Sequence, residues 1–184
     1  FTGHILWQKD SSNVNQILYS NNSLKNYFVN NGKNLVCQDR NGDELWVYSS
    51  EDELEGFSVL DSGGMIGQYS NTYFHIIDES GIQAWSYYAR EKIVDFSFSS
   101  FGADIVLASE NKIHWFQNEG FLRKQVSTNI ETINSLLSKV LVYESNIGDI
   151  EDNLTLVKEQ SGGNFLTLKK SFSMIFELKI RLEY

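Results

Sequence analysis

Four glycines set the frame of this chain: Gly3, Gly42, Gly81 and Gly120 follow one another at intervals of 39 residues. Trp7, Trp46 and Trp85 each come four residues after the first three, inside GHILW, GDELW and GIQAW. The fourth copy, GFLRK, keeps the glycine and carries Lys124 at the indole position. The residues ahead of the glycines agree as well, reading QDRNG at 38–42, IDESG at 77–81 and FQNEG at 116–120. Asn, Asp, Glu or Ser followed by Gly suits a tight connection between strands. Such registry marks a module copied head to tail, and it limits the possible folds more than any other feature.

Within each copy a cycle of four short strands recurs. The second copy reads as strands at 44–50, 57–60, 65–70 and 73–78, and the first at 4–8, 16–20, 25–30 and 34–39. The third is clearest in VDFSFSSFGADIVLASENKIHWFQNEG, where strands at 94–98, 105–109 and 112–117 are separated by turn-prone residues. Aromatic and β-branched residues are abundant in these runs, as strands prefer. Copies of about 40 residues with four antiparallel strands each predict an all-β repeat region of β-propeller blades. The expected blades are 3–41, 42–80 and 81–119, with a further one starting at 120–128. Each Trp is expected to wedge between adjacent sheets, because a single small sheet has no core of its own. Three to four blades fall short of a closed ring, and an open one exposes apolar faces and sheet edges. The chain also begins at Phe1, with no charged-then-apolar leader before the first repeat motif. It therefore reads as a segment of a larger ring, completed by more polypeptide or by a partner chain.

The motif Asp-x-x-Gly-x-x-x-Trp, present as Asp39, Gly42, Trp46 and again as Asp78, Gly81, Trp85, resembles the repeats of quinoprotein-type propellers. The run Phe96-Ser97-Phe98-Ser99-Ser100-Phe101-Gly102 is similar to the mid-repeat turn of WD-repeat proteins, without its Pro and Asp. The resemblance covers about residues 3–126 and implies blade architecture. It says little about activity, because such propellers serve unrelated purposes. Quinoprotein enzymes hold their quinone over a tryptophan floor, with a bound calcium and an axial aspartate. No matching cluster of acids and amides stands in this sequence, so no cofactor and no catalytic residues are expected, and a quinone-dependent dehydrogenase is a remote alternative.

Beyond Gln125 the pattern changes. Thr128-Asn129-Ile130-Glu131 fits a capping box. Ile133, Val140, Ile147 and Leu154 recur every seven residues, with Leu136, Tyr143, Ile150 and Val157 three after each. That spacing predicts a coiled-coil-like helix over about 129–160, with these eight residues as a seam for a second helix. Gly148 opposes it, and the alternative is a degenerate fourth blade with strands at 139–144 and 154–159. The alternation FELKIRLEY at 176–184 predicts a half-buried strand in a final β segment, 163–184.

Composition narrows the partners. The formal net charge of −9 argues against nucleic acid, which is bound by clusters of Lys and Arg. No run nears the roughly 18 apolar residues of a membrane-spanning helix. One cysteine, Cys37, excludes an internal disulfide and reads as a core thiol. His75 and His114 lie one repeat apart, but without a third ligand nearby no metal site is expected. Asp39 and Asp78 fit turn roles better than acid–base work, because Gln117 replaces them in the third copy. Glu51, Asp52, Glu53 and Glu55 form an acidic loop that could dock a basic partner. The expected function is non-catalytic: a propeller scaffold for protein–protein interaction within a larger protein or complex. The alternative is a small-molecule sensor that uses the propeller channel.

Overall fold

The computed structural model describes residues 8, 14–19, 26–60, 64–140 and 148–183. They contain eleven strands in three antiparallel sheets, followed by three helices. The chain divides into a β unit, 1–116, and a helical unit, 117–184.

In the first sheet β1 (Val14–Tyr19), β2 (Tyr27–Asn31), β3 (Asn34–Gln38) and β4 (Glu44–Ser49) are neighbours in chain order. The second repeats this with β5 (Gly56–Val59), β6 (Met65–Ser70), β7 (Tyr73–Asp78) and β8 (Gln83–Tyr88). The third holds β9 (Ile93–Phe98), β10 (Asp104–Ser109) and β11 (Ile113–Gln117). They are called sheets A, B and C below. Each sheet is cut from the sequence at a different point than the blades 3–41, 42–80 and 81–119. The strand bearing Trp46 closes sheet A, and the one bearing Trp85 closes sheet B.

The physical reason is the turn ahead of each glycine. Asp39 Oδ1 accepts from the backbone N–H of Asn41 (2.8 Å) and Asp43 (2.9 Å), and Gly42 N–H donates to Asp39 O (3.0 Å). Asp78 Oδ1 accepts from Ser80 and Ile82 N–H (both 3.0 Å), and Gly81 N–H donates to Asp78 O (3.0 Å). Gly42 and Gly81 have φ of 84° and 83°, where a Cβ is costly. So tight a turn folds the next strand back on the last one, making it the final strand of the same sheet. The recurrence extends to a bulge. Leu45 is the extra residue opposite Cys37 and Gln38, and Ala84 the extra one opposite Ile76 and Ile77. These bulged residues are again 39 apart.

The fourth copy departs from this pattern. Gln117 replaces the turn Asp, while Asn118 one residue later caps a helix, its Oδ1 accepting from Phe121 N–H (3.3 Å). The result is α1 (Glu119–Val140), so residues 120–128 begin a helix and not a blade, and the proposed capping box at 128–131 lies within it. Leu122, Val126, Asn129, Ile133 and Leu137 are buried along it at helical spacing.

Helix α2 (Gly148–Gln160) follows, and α3 (Phe165–Glu183) takes the place of the strand expected at 163–184. Asn164 caps α3, its Oδ1 accepting from Thr167 N–H (3.1 Å). Leu168, Ser171, Phe172, Ile175 and Leu178 are buried at steps of three and four residues. The nine-residue alternation was thus the shorter of two overlapping periods. α3 packs against both α1 and α2. Arg123 of α1 donates to the carbonyls of Ser161 (2.9 Å) and Gly163 (3.0 Å) in the turn between α2 and α3.

The single coiled-coil helix over 129–160 is also corrected. Lys158 Nζ donates to Asn134 Oδ1 at 3.4 Å, whereas one straight helix would hold these residues about 36 Å apart. The heptad spacing comes from separate helices that fold back on each other.

Gly81 and Gly120 share a repeat position and have opposite surroundings, which yields a sharp test. A Cβ on Gly81 would lie 2.7 Å from the Trp46 ring at positive φ, whereas nothing lies within 4 Å of one on Gly120. Gly81→Ala is expected to cost about 2 kcal/mol or more. Gly120→Ala is expected to be neutral or stabilising by up to about 1 kcal/mol. Urea unfolding of the two variants measures both.

Candidate interaction site

Among the described residues of the β unit, the built surfaces are the faces of the sheets. Alternation along each strand gives every sheet two faces. In sheet A one face carries Leu18, Phe28, Leu35, Cys37, Trp46 and Tyr48, which pack with Phe57, Val59, Ile66 and Ile77 of sheet B around buried Leu54. Trp46 Nε1 donates to Glu79 O (3.0 Å) in the turn of sheet B, and its ring lies on Gly81. Tyr48 hydroxyl donates to Gln83 Oε1 (2.7 Å). Gln16 bridges the first strands, Nε2 donating to Phe57 O (3.1 Å) and Oε1 accepting from Phe57 N–H (3.2 Å).

Sheets B and C meet in the same sense. Phe96 packs against Phe74 (ring centroids 4.8 Å apart) and Tyr69 (6.0 Å), and a Cβ on Gly67 would overlap the Phe96 ring. Phe116 packs against Trp85 (5.2 Å) and Tyr87 (4.8 Å). Tyr69 hydroxyl donates to Val94 O (3.0 Å). The pairs Tyr48–His75 (6.3 Å) and Tyr87–His114 (5.4 Å) occupy matching places one repeat apart. Each interface thus joins the back of one sheet to the front of the next.

The two histidines expected at equivalent positions serve these interfaces. His114 Nδ1 is in hydrogen-bond contact with Tyr87 hydroxyl at 3.1 Å. Burial holds the His75 ring below its ordinary pKa of 6.5, partly offset by a hydrogen bond with Gln83. Beside it on β6, Gln68 is fully buried, and the Tyr48 hydroxyl is close enough to interact with its side chain; among the described residues Asn30 Oδ1 and His75 Nδ1 have no hydrogen-bond partner. Cys37 is buried, and burial pushes its thiol up to about 11, so it is inert as a nucleophile.

The acidic loop joins sheets A and B. Leu54 anchors it, donating its N–H to Gly32 O (2.9 Å) and accepting from Asn30 Nδ2 (3.1 Å). Glu51, Asp52 and Glu53 are exposed, and Glu55 pairs with Lys92 at 3.4 Å. Of the expected helix seam, Ile133, Leu154 and Val157 are buried and Leu136 is half-buried. Tyr143 and Ile147, and the side chains of Val140 and Ile150, lie outside the described residues, as do Gly3 and Trp7. Sequence reasoning missed Gln16, Leu54 and the uncovered pair Ile113 and Trp115. For Ile113 and Trp115 a signal existed: they stand 39 residues after Phe74 and Ile76.

Among the described residues no three of His, Cys, Asp and Glu gather as metal ligands, and no helix is long and apolar enough to cross a membrane. No family model matches the chain, and no curated protein matches its sequence.

Two outcomes follow from the polar pair on β6 and β7. Leu107 fills the Gln68 position in sheet C and is fully buried, so Gln68→Leu is expected to be neutral or stabilising by up to about 1 kcal/mol in chemical unfolding. A loss of stability would show that the contact with Tyr48 outweighs the cost of burying the amide. The depressed His75 pKa means that the unfolded chain takes up its proton first. Stability is therefore full above pH 6.5 and falls as pH drops below it toward the folded-state value. His75→Phe is expected to flatten that part of the stability–pH curve; an unchanged slope would assign the acid sensitivity elsewhere.

Proposed function

We propose that this chain is a non-catalytic propeller segment serving as an interaction platform within a larger protein or complex. The reading is supported by front-to-back stacking of three antiparallel sheets, with the turn, the bulge and the Tyr–His pair each recurring one repeat later. The observation that carries it is the outer face of sheet C. Ile113 and Trp115 point away from sheet B there and are strongly exposed, as a surface awaiting cover would be. What the described residues bring together is apolar and aromatic, suited to packing and not to proton or group transfer.

The second element of the platform is the acidic loop. Its backbone is fastened at Leu54, so Glu51, Asp52 and Glu53 are presented from a fixed base, which favours steering and register with a basic partner. Immobilised chain in an extract of its source cells is expected to retain a protein partner. Glu51→Lys with Asp52→Lys and Glu53→Lys is expected to lower that retention at least about tenfold, with the circular dichroism unchanged. Equal retention would remove the loop from the platform. If no protein is retained and a metabolite raises the melting temperature instead, the channel-sensor alternative replaces this reading.

A further inference from the structure

Sheets A, B and C present one register row on their front faces. In sheet A it runs Ile17–Val29–Val36–Val47, and in sheet B Phe57–Gln68–His75–Ser86. In sheet C it begins Phe96–Leu107, and His114 stands 39 residues after His75. The fronts of B and C are covered by the backs of A and B. The front of A faces away from B, and there Ile17 and Val47 are exposed, flanked by exposed Tyr19 and Leu45.

The back faces are equivalent in the same way. Leu35, Phe74 and Ile113 follow one another at 39 residues, as do Cys37, Ile76 and Trp115. Leu35 and Phe74 are both 0% exposed, Cys37 is 1% and Ile76 6%. At the same two places on sheet C, Ile113 is 79% exposed and Trp115 71%. Sheet C therefore bears, uncovered, the surface that sheets A and B each bury under a following front face.

We infer that the back of sheet C takes the front of sheet A from a second copy of this chain, in a head-to-tail contact. The inference rests on the propeller reading above. Continuity with two existing interfaces argues for it: A on B and B on C are both back-to-front contacts. The front of sheet A is the remaining front face in the described chain. Its aliphatic row needs no polar partner, which suits the apolar pair Ile113 and Trp115. A contact between different surfaces either closes or propagates. Two copies carry twice the three sheets, within the roughly four to eight that close a ring. With a net charge of −9 on each copy, salt screens the repulsion, and association strengthens as ionic strength rises.

Sedimentation velocity and light scattering of the purified chain, from low to high micromolar, test this. The expected result is a concentration-dependent dimer, favoured by salt. Trp115→Lys alters only the back of sheet C, and Ile17→Lys with Val47→Lys only the front of sheet A; all three positions are exposed, so folding is retained. Each variant alone is expected to weaken dimerisation at least about 30-fold. Mixing the two restores a one-to-one dimer through the single intact contact. A monomer at every concentration overturns the inference, as does a dimer that either variant leaves unchanged, or a mixture that recovers nothing. Gly81→Ala separates this failure from that of the propeller reading: a monomer still destabilised by it keeps its stacked sheets, and one indifferent to it does not.

Discussion

A sheet of four strands, each four to six residues long, has two apolar faces and too little material to cover either. Every other feature of the β unit answers that constraint. Sheet A gains a core only because sheet B supplies Phe57, Ile66 and Ile77 to Phe28, Leu35 and Cys37. Sheet B in turn hides Phe74 under Phe96. Stability of this kind passes from neighbour to neighbour, so the two ends of the stack are left with the faces that the interior positions bury.

The aromatic residues act as spacers with assigned polar ends. Trp46 lies flat where Gly81 offers no side chain, and its indole N–H meets a turn carbonyl of the adjoining sheet. A half-exposed indole can serve here because its apolar body packs while its donor is satisfied. The interfaces are not copies of one another, however. Phe116 meets Trp85 where Gly81 meets Trp46. Position 68 holds a buried glutamine where position 107 holds a buried leucine. Residues 39 apart thus stand in matching places, and each pair of sheets settles its own packing.

The change from strand to helix near residue 118 shows how little separates the two outcomes. Asp39 and Asp78 each tie a turn by accepting two or more local N–H groups. At 117 the glutamine stands one methylene longer, and Asn118 is placed to cap instead. From there Leu122, Val126 and Ile133 repeat at helical spacing. This was legible only beyond Gln125, where the pattern turns helical; residues 120–128 were expected to start another blade and belong to α1. The tail was misread because FELKIRLEY alternates over nine residues, while Phe165, Leu168, Phe172, Ile175 and Leu178 keep helical period over a longer span. The seam was misread because heptad spacing continues across a fold-back, which one-dimensional counting does not register.

The amino-acid sequence alone determined the 39-residue spacing, the turn chemistry at Asp39 and Asp78, and the strands β2 to β7 and β9 to β11, but not β8. Those are local properties: a carboxylate reaching its own backbone, a glycine free to take positive φ, side chains alternating along a strand. Only the tertiary structure decided where one sheet ends and the next begins. It also decided which face of each sheet meets a neighbour, and that Ile113 and Trp115 are left open while Phe74 and Ile76 are buried. Burial depends on what lies across an interface, and a residue's own neighbours in the chain do not carry that information.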